Sequence, residues 1–378
     1  MARYLMKRAL SGLVTLFIFQ TIIFFAVQFA LPGDYASQFT LGRSTEEVHK
    51  LRESLGLHLP LGQQYLIWLS SLFTGTPAYY RLMVLDTIRY FLPGTLLVFG
   101  SATFLAFVLG HWLGRLAAWR KPGLLSDSVT LGAVLLYASF PPWLAIVFAF
   151  LFTGRYRLAF PLDPTRSVWR HSTWSPQTII LYLALILFGL ALVLLVAREI
   201  LQRRWRNRLP LPLFLLLAVA GLLGLPYALG FGRQAQAVLQ AAWLPILVFT
   251  LLSFGEILIL TRTSMAEVLH EEYVNTARAK GLPDSAVRDR HAARTALLPV
   301  VSKLVVSLPY LMGGVVMVET ATGWSGLGSS LYYAVISQNM PGAMAAFLVI
   351  GLFTLAASLA LEVLQVYIDP RLRPDSRG

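Results

Sequence analysis

The chain has 378 residues, of which 57% are apolar and only 13% are charged. This charged share is about half of that in ordinary soluble proteins. A soluble domain of this length would need more polar surface to cover its core. A soluble enzyme, a disordered tail protein and a nucleic-acid-binding module are therefore excluded. The chain has no cysteine, so it has no disulfide framework and no thiolate metal site. Composition predicts an all-α, polytopic membrane protein.

Eight apolar runs are long enough to cross a membrane, which takes roughly 20 residues. The first, 9–31, ends in Leu31-Pro32-Gly33-Asp34 rather than in a small-residue cleavage site, which favours a retained helix over a signal peptide. Pro141-Pro142 predicts a kink in the third run. The runs lie near residues 9–31, 93–114, 128–153, 178–197, 209–231, 241–261, 297–318 and 343–367.

The positions of the basic residues predict the orientation of these spans. Alternate segments are enriched in Lys and Arg, as cytoplasmic segments are. With this orientation the N- and C-termini are cytoplasmic. The basic string from Arg198 to Arg208 is interpreted as an orientation signal, with a contact to anionic membrane lipid as the alternative. The enriched segments are 1–8, 115–127, 198–208, 262–296 and 368–378.

The external loop 32–92 contains two predicted short helices. Ser44-Thr45-Glu46-Glu47 reads as a capping box, and Gly56 suits the end of the helix that it begins. A second amphipathic stretch covers residues 65–73. This loop could be a lid on the membrane surface or a docking platform for an external partner.

The cytoplasmic loop 262–296 is the most charged part of the chain. Two short helices are expected, broken at Gly281-Leu282-Pro283, with Pro283 in the first turn of the second. Tyr273 and Ala277 share one face at i, i+4 spacing. Small residues at Ala277 and Ala279 would allow close contact with another surface. An ordinary basic loop is the alternative interpretation.

Motifs for nucleotide hydrolysis and for catalysis are absent from the sequence. No Lys follows Gly and precedes Ser or Thr, so the chain has no phosphate-binding P-loop. His270-Glu271 begins a zinc-protease-like string, but Val274 stands where the second His is required. The sequence therefore predicts no enzyme activity and no cofactor in this chain.

The string from Glu271 to Val301, EEYVNTARAKGLPDSAVRDRHAARTALLPVV, resembles the coupling loop of ATP-binding-cassette importer permeases of the dipeptide/oligopeptide/nickel subfamily. The opening ARYLMKRAL with FALPGD, the external LRESLGLHLPLGQQYLIWL, the later VETATGWSGLG and the final YIDPRLRP are also similar to that family. The resemblance covers most of the chain in order. The family pattern is altered at Gly75-Thr76-Pro77-Ala78-Tyr79-Tyr80 and at Ser325.

The resemblance implies a six-helix permease core in a prokaryotic plasma (inner) membrane, to which residues 165–240 add an inserted hairpin of two spans. The resulting divisions are an N-terminal span 1–31, the external loop 32–92, core spans in 93–164, the hairpin 165–240, and core spans with the coupling loop in 241–378.

The resemblance also implies the partners. Two cytosolic ATPase subunits would carry ATP and Mg, a second permease would complete the path, and an external solute-binding protein would deliver the solute. The residues implied to couple this chain to an ATPase subunit are Glu271, Glu272, Tyr273, Thr276, Ala277, Arg278, Ala279, Lys280, Gly281 and Leu282.

Two charged residues lie inside predicted spans. Glu256 and Lys303 are each one to two turns into the apolar layer, where an unpaired charge is costly. We expect them to form a structural pair.

The sequence leaves the transported solute undecided. Peptides or similar solutes are the first interpretation, and oligosaccharides or nickel complexes are the alternative. An ion-coupled secondary transporter would need several buried charges near the midplane, which the sequence lacks.

Overall fold

A computed structural model describes the chain outside residues 1, 31–35, 37–43, 55, 75–77, 120–122, 154–173, 206–210 and 369–378. Within this described part every regular element is helical, as the sequence predicts. The external segment 154–177 lies largely outside the described residues, and so does the C-terminal motif beyond Tyr367-Ile368.

The first span and the external loop form four helices. They are α1 (Ala2–Ala30), α2 (Thr45–Ser54), α3 (Leu61–Thr74) and α4 (Ala78–Asp86). The C-terminal half of α1 packs on α3, where the Thr21 and Tyr65 hydroxyls lie 2.8 Å apart. The predicted amphipathic stretch 65–73 is therefore a helix packed on this chain's own first span.

The capping box predicted for α2 is confirmed. The Glu47 backbone N–H donates to the Ser44 hydroxyl at 3.3 Å, and the Ser44 N–H donates to a Glu47 carboxylate oxygen at 3.1 Å. Gly56 has φ +68°, the left-handed conformation that a glycine adopts most easily after a helix. Both ends of α2 are therefore set by local sequence.

The second and third predicted spans are also helical. Helix α5 (Leu92–Trp119) continues from α4 through a π-helical turn, Thr87–Phe91. Helices α6 (Leu124–Tyr137) and α7 (Pro141–Thr153) meet at a bend of 108°. The kink predicted at Pro141-Pro142 is confirmed, because proline cannot continue α6 but fits the first turn of α7.

The region predicted to be an inserted hairpin contains two helices, α8 (Pro176–Trp205) and α9 (Leu211–Ala228). Ile179 and Leu183 of α8 are fully buried in a cluster with Leu97 of α5 and with Val238, which lies in the helix after α9. Leu185 and Leu192 on the other side of α8 are exposed. The hairpin therefore packs on one side of α5 and turns apolar side chains outward.

The remaining helices carry the coupling loop and the last spans. They are α10 (Gly232–Val268), α11 (Glu272–Ala279), α12 (Asp284–Ala286), a π-helical turn (Val287–Ala292), α13 (Ala293–Thr322), α14 (Leu327–Ile336) and α15 (Met340–Ile368).

Helix α10 is the centre of the packing and touches α5, α6, α7 and α13. Glycines make the crossings close, as is common in membrane helices. A Cβ added to Gly110 of α5 would lie 2.8 Å from the Phe254 carbonyl oxygen, and one added to Gly255 would lie 2.3 Å from the Ala133 carbonyl oxygen. Larger residues at these positions would push α5 and α6 away from α10.

Five helical stretches within the described residues are long and apolar enough to cross a membrane, or six if the bent pair α6–α7 is one span. The predicted spans 209–231 and 297–318 fall on α9 and α13, where the apolar stretches found, Leu216–Ala228 and Thr295–Leu304, are shorter. A multi-pass membrane protein is therefore supported. The count of eight spans is not confirmed and stays a prediction.

Candidate coupling site

The first helix of the coupling loop is short and has defined ends. It is α11, which begins after the extended residue Glu271 and ends at Ala279. Gly281 has φ +71°, and its N–H donates to the Arg278 carbonyl at 2.9 Å, a left-handed end typical of glycine. The predicted break at Gly281 is confirmed. Pro283 precedes α12 in extended conformation rather than lying inside its first turn.

One face of α11 is buried against this chain. Val274 and Ala277 are 0% and 5% exposed, in a cluster with Met265 and Val268 of α10, Val287, Ala292, and Ala293 and Ala296 of α13. The small residue Ala277 was expected to lie against another surface. That surface is the protein's own core, because the ends of α10 and α13 meet beneath α11.

Two further contacts join α11 to other helices. The Tyr273 hydroxyl donates to the Thr295 hydroxyl of α13 at 3.0 Å. The Arg278 guanidinium lies over the Trp119 ring of α5, 5.3 Å from its centroid, in a cation–π arrangement. The side chains of Tyr273 and Arg278 therefore contact neighbouring helices of this chain. Together with the buried face, they fix α11 to α5, α10 and α13.

The opposite face of α11 is exposed. Glu272, Thr276 and Ala279 follow one another at spacings of four and three residues, so they share the helix side opposite Val274 and Ala277. The residues of the predicted set that are exposed and can meet a partner are Glu271, Glu272, Tyr273, Thr276, Arg278, Ala279, Lys280, Gly281 and Leu282.

An acidic residue that the sequence interpretation missed joins the loop to α5. Asp289 accepts two hydrogen bonds from Arg288, both at 2.8 Å, and one from Arg115 of α5 at 3.2 Å. The hydrogen bonds from Arg288 lower the pKa of Asp289 below its usual value, and the charge of Arg115 acts in the same direction. The neighbour Arg288 is visible in the sequence, but Arg115 is 174 residues away.

The family-like string near the end of α13 forms a tightly packed corner with α5. Glu319 is fully buried and its carboxylate accepts from the Thr95 hydroxyl at 2.7 Å. It also accepts from the backbone N–H groups of Gly328 and Ser329 at the start of α14, at 2.8 and 3.1 Å. A carboxylate suits a helix N-terminus, where N–H groups have no partner within the helix.

The predicted pair Glu256–Lys303 is wrong. Within the described residues these side chains form no ion pair, since Glu256 accepts from the Ser307 hydroxyl at 2.9 Å and Lys303 is exposed. Ser307 lies one helical turn beyond Lys303 on α13 and supplies a neutral donor. The long lysine side chain can then extend away from the packed helices.

No group of three or more potential metal ligands occurs in the part of the chain that the structure describes. The candidate site is a short helix, α11, with one exposed face and with its other face held on three long helices. A movement of this short helix would therefore be passed to the three helices that hold it.

Two models of one protein family match this chain. Residues 208–374 match the family described as binding-protein-dependent transport system inner membrane component, and residues 1–82 match the N-terminal model of the same family. A multi-pass transport permease is the class that these helices and matches define. The chain belongs to the family of binding-protein-dependent transport system inner membrane components, as its resemblance to importer permeases predicts.

Similar curated proteins span almost the whole chain. A dipeptide transport system permease protein from Alkalihalophilus pseudofirmus is 25% identical over 383 residues, covering 99% of this chain and 100% of that protein. A glutathione transport system permease protein from Escherichia coli O6:H1 is 26% identical over 389 residues, covering 99% of both.

Proposed function

We propose that this chain is the permease subunit of an ATP-binding-cassette importer that moves peptides or chemically similar solutes across an inner membrane. The family membership and the names of the relatives support this function. The observation that carries it is the geometry of α11: one face is exposed and the other is fixed to α5, α10 and α13.

In this proposal the exposed face of α11 inserts into a cleft of a cytosolic ATPase subunit. Two such subunits bind ATP with Mg and hydrolyse it, since this chain has no P-loop. Their closure displaces α11. Because Val274 and Ala277 are buried against α10 and α13, the displacement moves the inner ends of these helices. The spans then alternate between inward-open and outward-open states.

The other proposed partners follow from the same assembly. A second permease completes the solute path, and an external solute-binding protein delivers the solute to the outer side. The N- and C-termini and the coupling loop face the cytosol, where the ATPase subunits are. The solute is a peptide or a similar small molecule, as in the two relatives named above.

Cross-linking with a single cysteine tests whether α11 contacts an ATPase subunit. The chain has no native cysteine, so Ala279→Cys introduces a unique reactive site on the exposed face. We expect it to cross-link to a co-expressed ATPase subunit. Tyr333→Cys is the control, because Tyr333 is 59% exposed but lies on α14, far from α11 along the chain. No cross-link from Ala279→Cys, or an equal one from Tyr333→Cys, would contradict the proposal.

A paired substitution tests the transmission of force. Ala279→Trp adds bulk to the exposed face, so we expect a folded protein whose uptake falls at least tenfold while the ATPase subunits still hydrolyse ATP. Ala277→Trp adds the same bulk to the buried face, so we expect it to unfold the loop, at a cost of about 1–3 kcal/mol or more. Uptake in reconstituted vesicles measures the loss of coupling, and the unfolding midpoint measures the loss of stability. Normal uptake by Ala279→Trp would argue against coupling through α11.

A further inference from the structure

A cavity of about 640 Å³ lies between α1, α13 and α15, with Leu331 of α14 also in its wall, and none of its lining residues belongs to the candidate coupling site. Most of its wall is apolar: Leu16 and Phe19 come from α1, Met312 and Val316 from α13, and Phe347 and Leu355 from α15. It is partly open on one side. The neighbouring surface of α1 is apolar and exposed, with Val14 and Phe17 each about half exposed. An open apolar cavity beside an exposed apolar helix face is a place that a lipid acyl chain can enter.

The length of the cavity matches one leaflet of a bilayer. Arg8 and Glu362 line it at one end, and Phe19 and Phe347 line it at the other, with ring centroids 6.0 Å apart. Arg8 and Phe19 are eleven residues apart on α1, which corresponds to about 16 Å along a helix. This is about half of the hydrocarbon thickness of a bilayer. One extended acyl chain therefore fits along it.

The helices around the cavity cannot close it by moving α1 towards α15. A Cβ added to Gly12 would lie 2.2 Å from Cδ1 of Leu355, and one added to Gly351 would lie 2.3 Å from Cδ1 of Leu16. Helices α1 and α15 are therefore already in contact at these glycines. On the α13 side, by contrast, Gly313 has nothing within 4 Å of an added Cβ. The free space lies next to α13.

The polar end of the cavity offers both kinds of hydrogen-bonding partner. The Arg8 Nε donates to the Glu362 Oε1 at 2.9 Å, and the Arg8 side chain is 57% exposed. Within the described residues the two terminal nitrogens of Arg8 make no hydrogen bond. The Oε2 of Glu362 is buried and has no hydrogen-bond partner in that part of the chain either. A ligand for this end should carry an anionic group beside a cationic N–H donor.

We propose that this cavity binds one molecule of phosphatidylethanolamine from the leaflet on the side of the N-terminus. Its phosphate accepts from the terminal nitrogens of Arg8, a geometry that guanidinium groups favour. Its primary ammonium donates to the Glu362 carboxylate, and one acyl chain fills the space beside Gly313. Phosphatidylcholine has no N–H donor for Glu362. Phosphatidylglycerol adds a net negative charge beside that carboxylate.

Native mass spectrometry of the full-length chain tests this site. The protein is purified in detergent, stripped of lipid and titrated with phosphatidylethanolamine, phosphatidylcholine or phosphatidylglycerol that carry identical acyl chains. We expect one phosphatidylethanolamine per chain, bound at about tenfold lower concentration than the other two. Equal binding of phosphatidylcholine or phosphatidylglycerol would overturn the proposal.

Two variants separate the two halves of the site. Gly313→Phe places a ring in the free space, and we expect the tightly bound lipid to be lost. Gly189→Phe is the matched control, because Gly189 on α8 also has nothing within 4 Å of an added Cβ and does not line the cavity. Glu362→Gln removes the carboxylate charge, and we expect the tenfold preference over phosphatidylcholine to disappear.

The same measurements also show whether the cavity holds a lipid or a second copy of this chain. Unchanged phosphatidylethanolamine binding in Gly313→Phe would overturn the proposal. So would the loss of a dimer, instead of lipid, in that variant. If Gly313→Phe does not fold, Glu362→Gln decides alone, since a retained tenfold preference in that variant contradicts the role of the carboxylate.

Discussion

Glu319 illustrates how much of the structure depends on single residues. A buried carboxylate is stable only when its oxygens accept hydrogen bonds. Glu319 has three such bonds, from Thr95 and from two backbone N–H groups of α14. The sequence draws attention to Glu319 because it lies in the family-like string VETATGWSGLG. It does not reveal Thr95, which is 224 residues away.

A substitution at Gly94 tests the packing between α5 and the segment that follows α13. A Cβ at this position would lie 2.0 Å from the Ser325 carbonyl oxygen, a backbone atom that cannot move aside as a flexible side chain can. We expect Gly94→Ala to destabilise the protein by about 3 kcal/mol, the upper range for overpacked cores. The loss of helical circular dichroism on heating in detergent measures the effect.

Gly132→Ala is the matched control for Gly94→Ala. Gly132 is inside α6 and has nothing within 4 Å of an added Cβ. Alanine favours a helix over glycine by about 1 kcal/mol, so this variant should be at least as stable as the unmodified chain. Similar melting of the two variants would mean that α5 and Ser325 are not in close contact.

Helix α11 shows what a local pattern can and cannot predict about an element. Its extent and its end at Gly281 follow from residues next to one another, so the sequence predicts them. Which side faces inward depends on how α10 and α13 pack beneath it. Ala277 and Ala279 are equally small in the sequence, but only Ala277 is buried. The predicted Glu256–Lys303 pair failed for the same reason, because Ser307 could not be identified as the partner.

The contact between the π-helical turn and α5 should respond to pH. The pKa of Asp289 is lowered in the folded protein, chiefly by its hydrogen bonds from Arg288. An acid with a lowered pKa stabilises the folded state above its unfolded pKa, and this contribution is lost as the pH falls through the folded pKa. Asp289→Asn should therefore lower the unfolding midpoint at pH 7. The difference from the unmodified chain should shrink below about pH 4, the usual range of aspartate.

Glu267→Gln is the control for the Asp289 experiment, because Glu267 is exposed at the end of α10. It should leave the midpoint unchanged at every pH. A difference between Asp289→Asn and the unmodified chain that stays constant from pH 7 to pH 3 would exclude the ionised carboxylate as its cause.

For the whole molecule, the apolar runs predict most of the helices but not how many cross the membrane. Run length and composition depend only on sequence, and the runs coincide with α1, α5, α8, α10 and α15. The bend of 108° between α6 and α7 is a tertiary feature, and composition cannot tell a bent span from a re-entrant pair. The sequence likewise could not predict that α8 packs against α5 and α10, because this depends on contacts between distant residues.

The pair of helices α8 and α9 gives a prediction about membrane topology. Asn207 lies in the basic string between α8 and α9, outside the described residues. If both helices cross the membrane, this string is cytoplasmic, because Lys and Arg favour that side. Asn207→Cys should then react with an impermeant thiol reagent in inverted vesicles and not in intact cells. Tyr333→Cys, on the predicted external side, should show the reverse. Labelling of Asn207→Cys from outside would contradict the topology.

The two polar contacts between α5 and the α13 region have a consequence for motion. Thr95 binds Glu319 near one end of α5, and Arg115 binds Asp289 near the other. Twenty residues of helix separate Thr95 from Arg115, about 30 Å, which is the thickness of the bilayer core. Because these contacts join α5 to α13 and to the turn before it near both ends of α5, we expect the two helices to slide and tilt together. In the transport cycle proposed above, spin labels on α5 and α13 should therefore keep one distance throughout, and the helix movements of that cycle should occur between other helices.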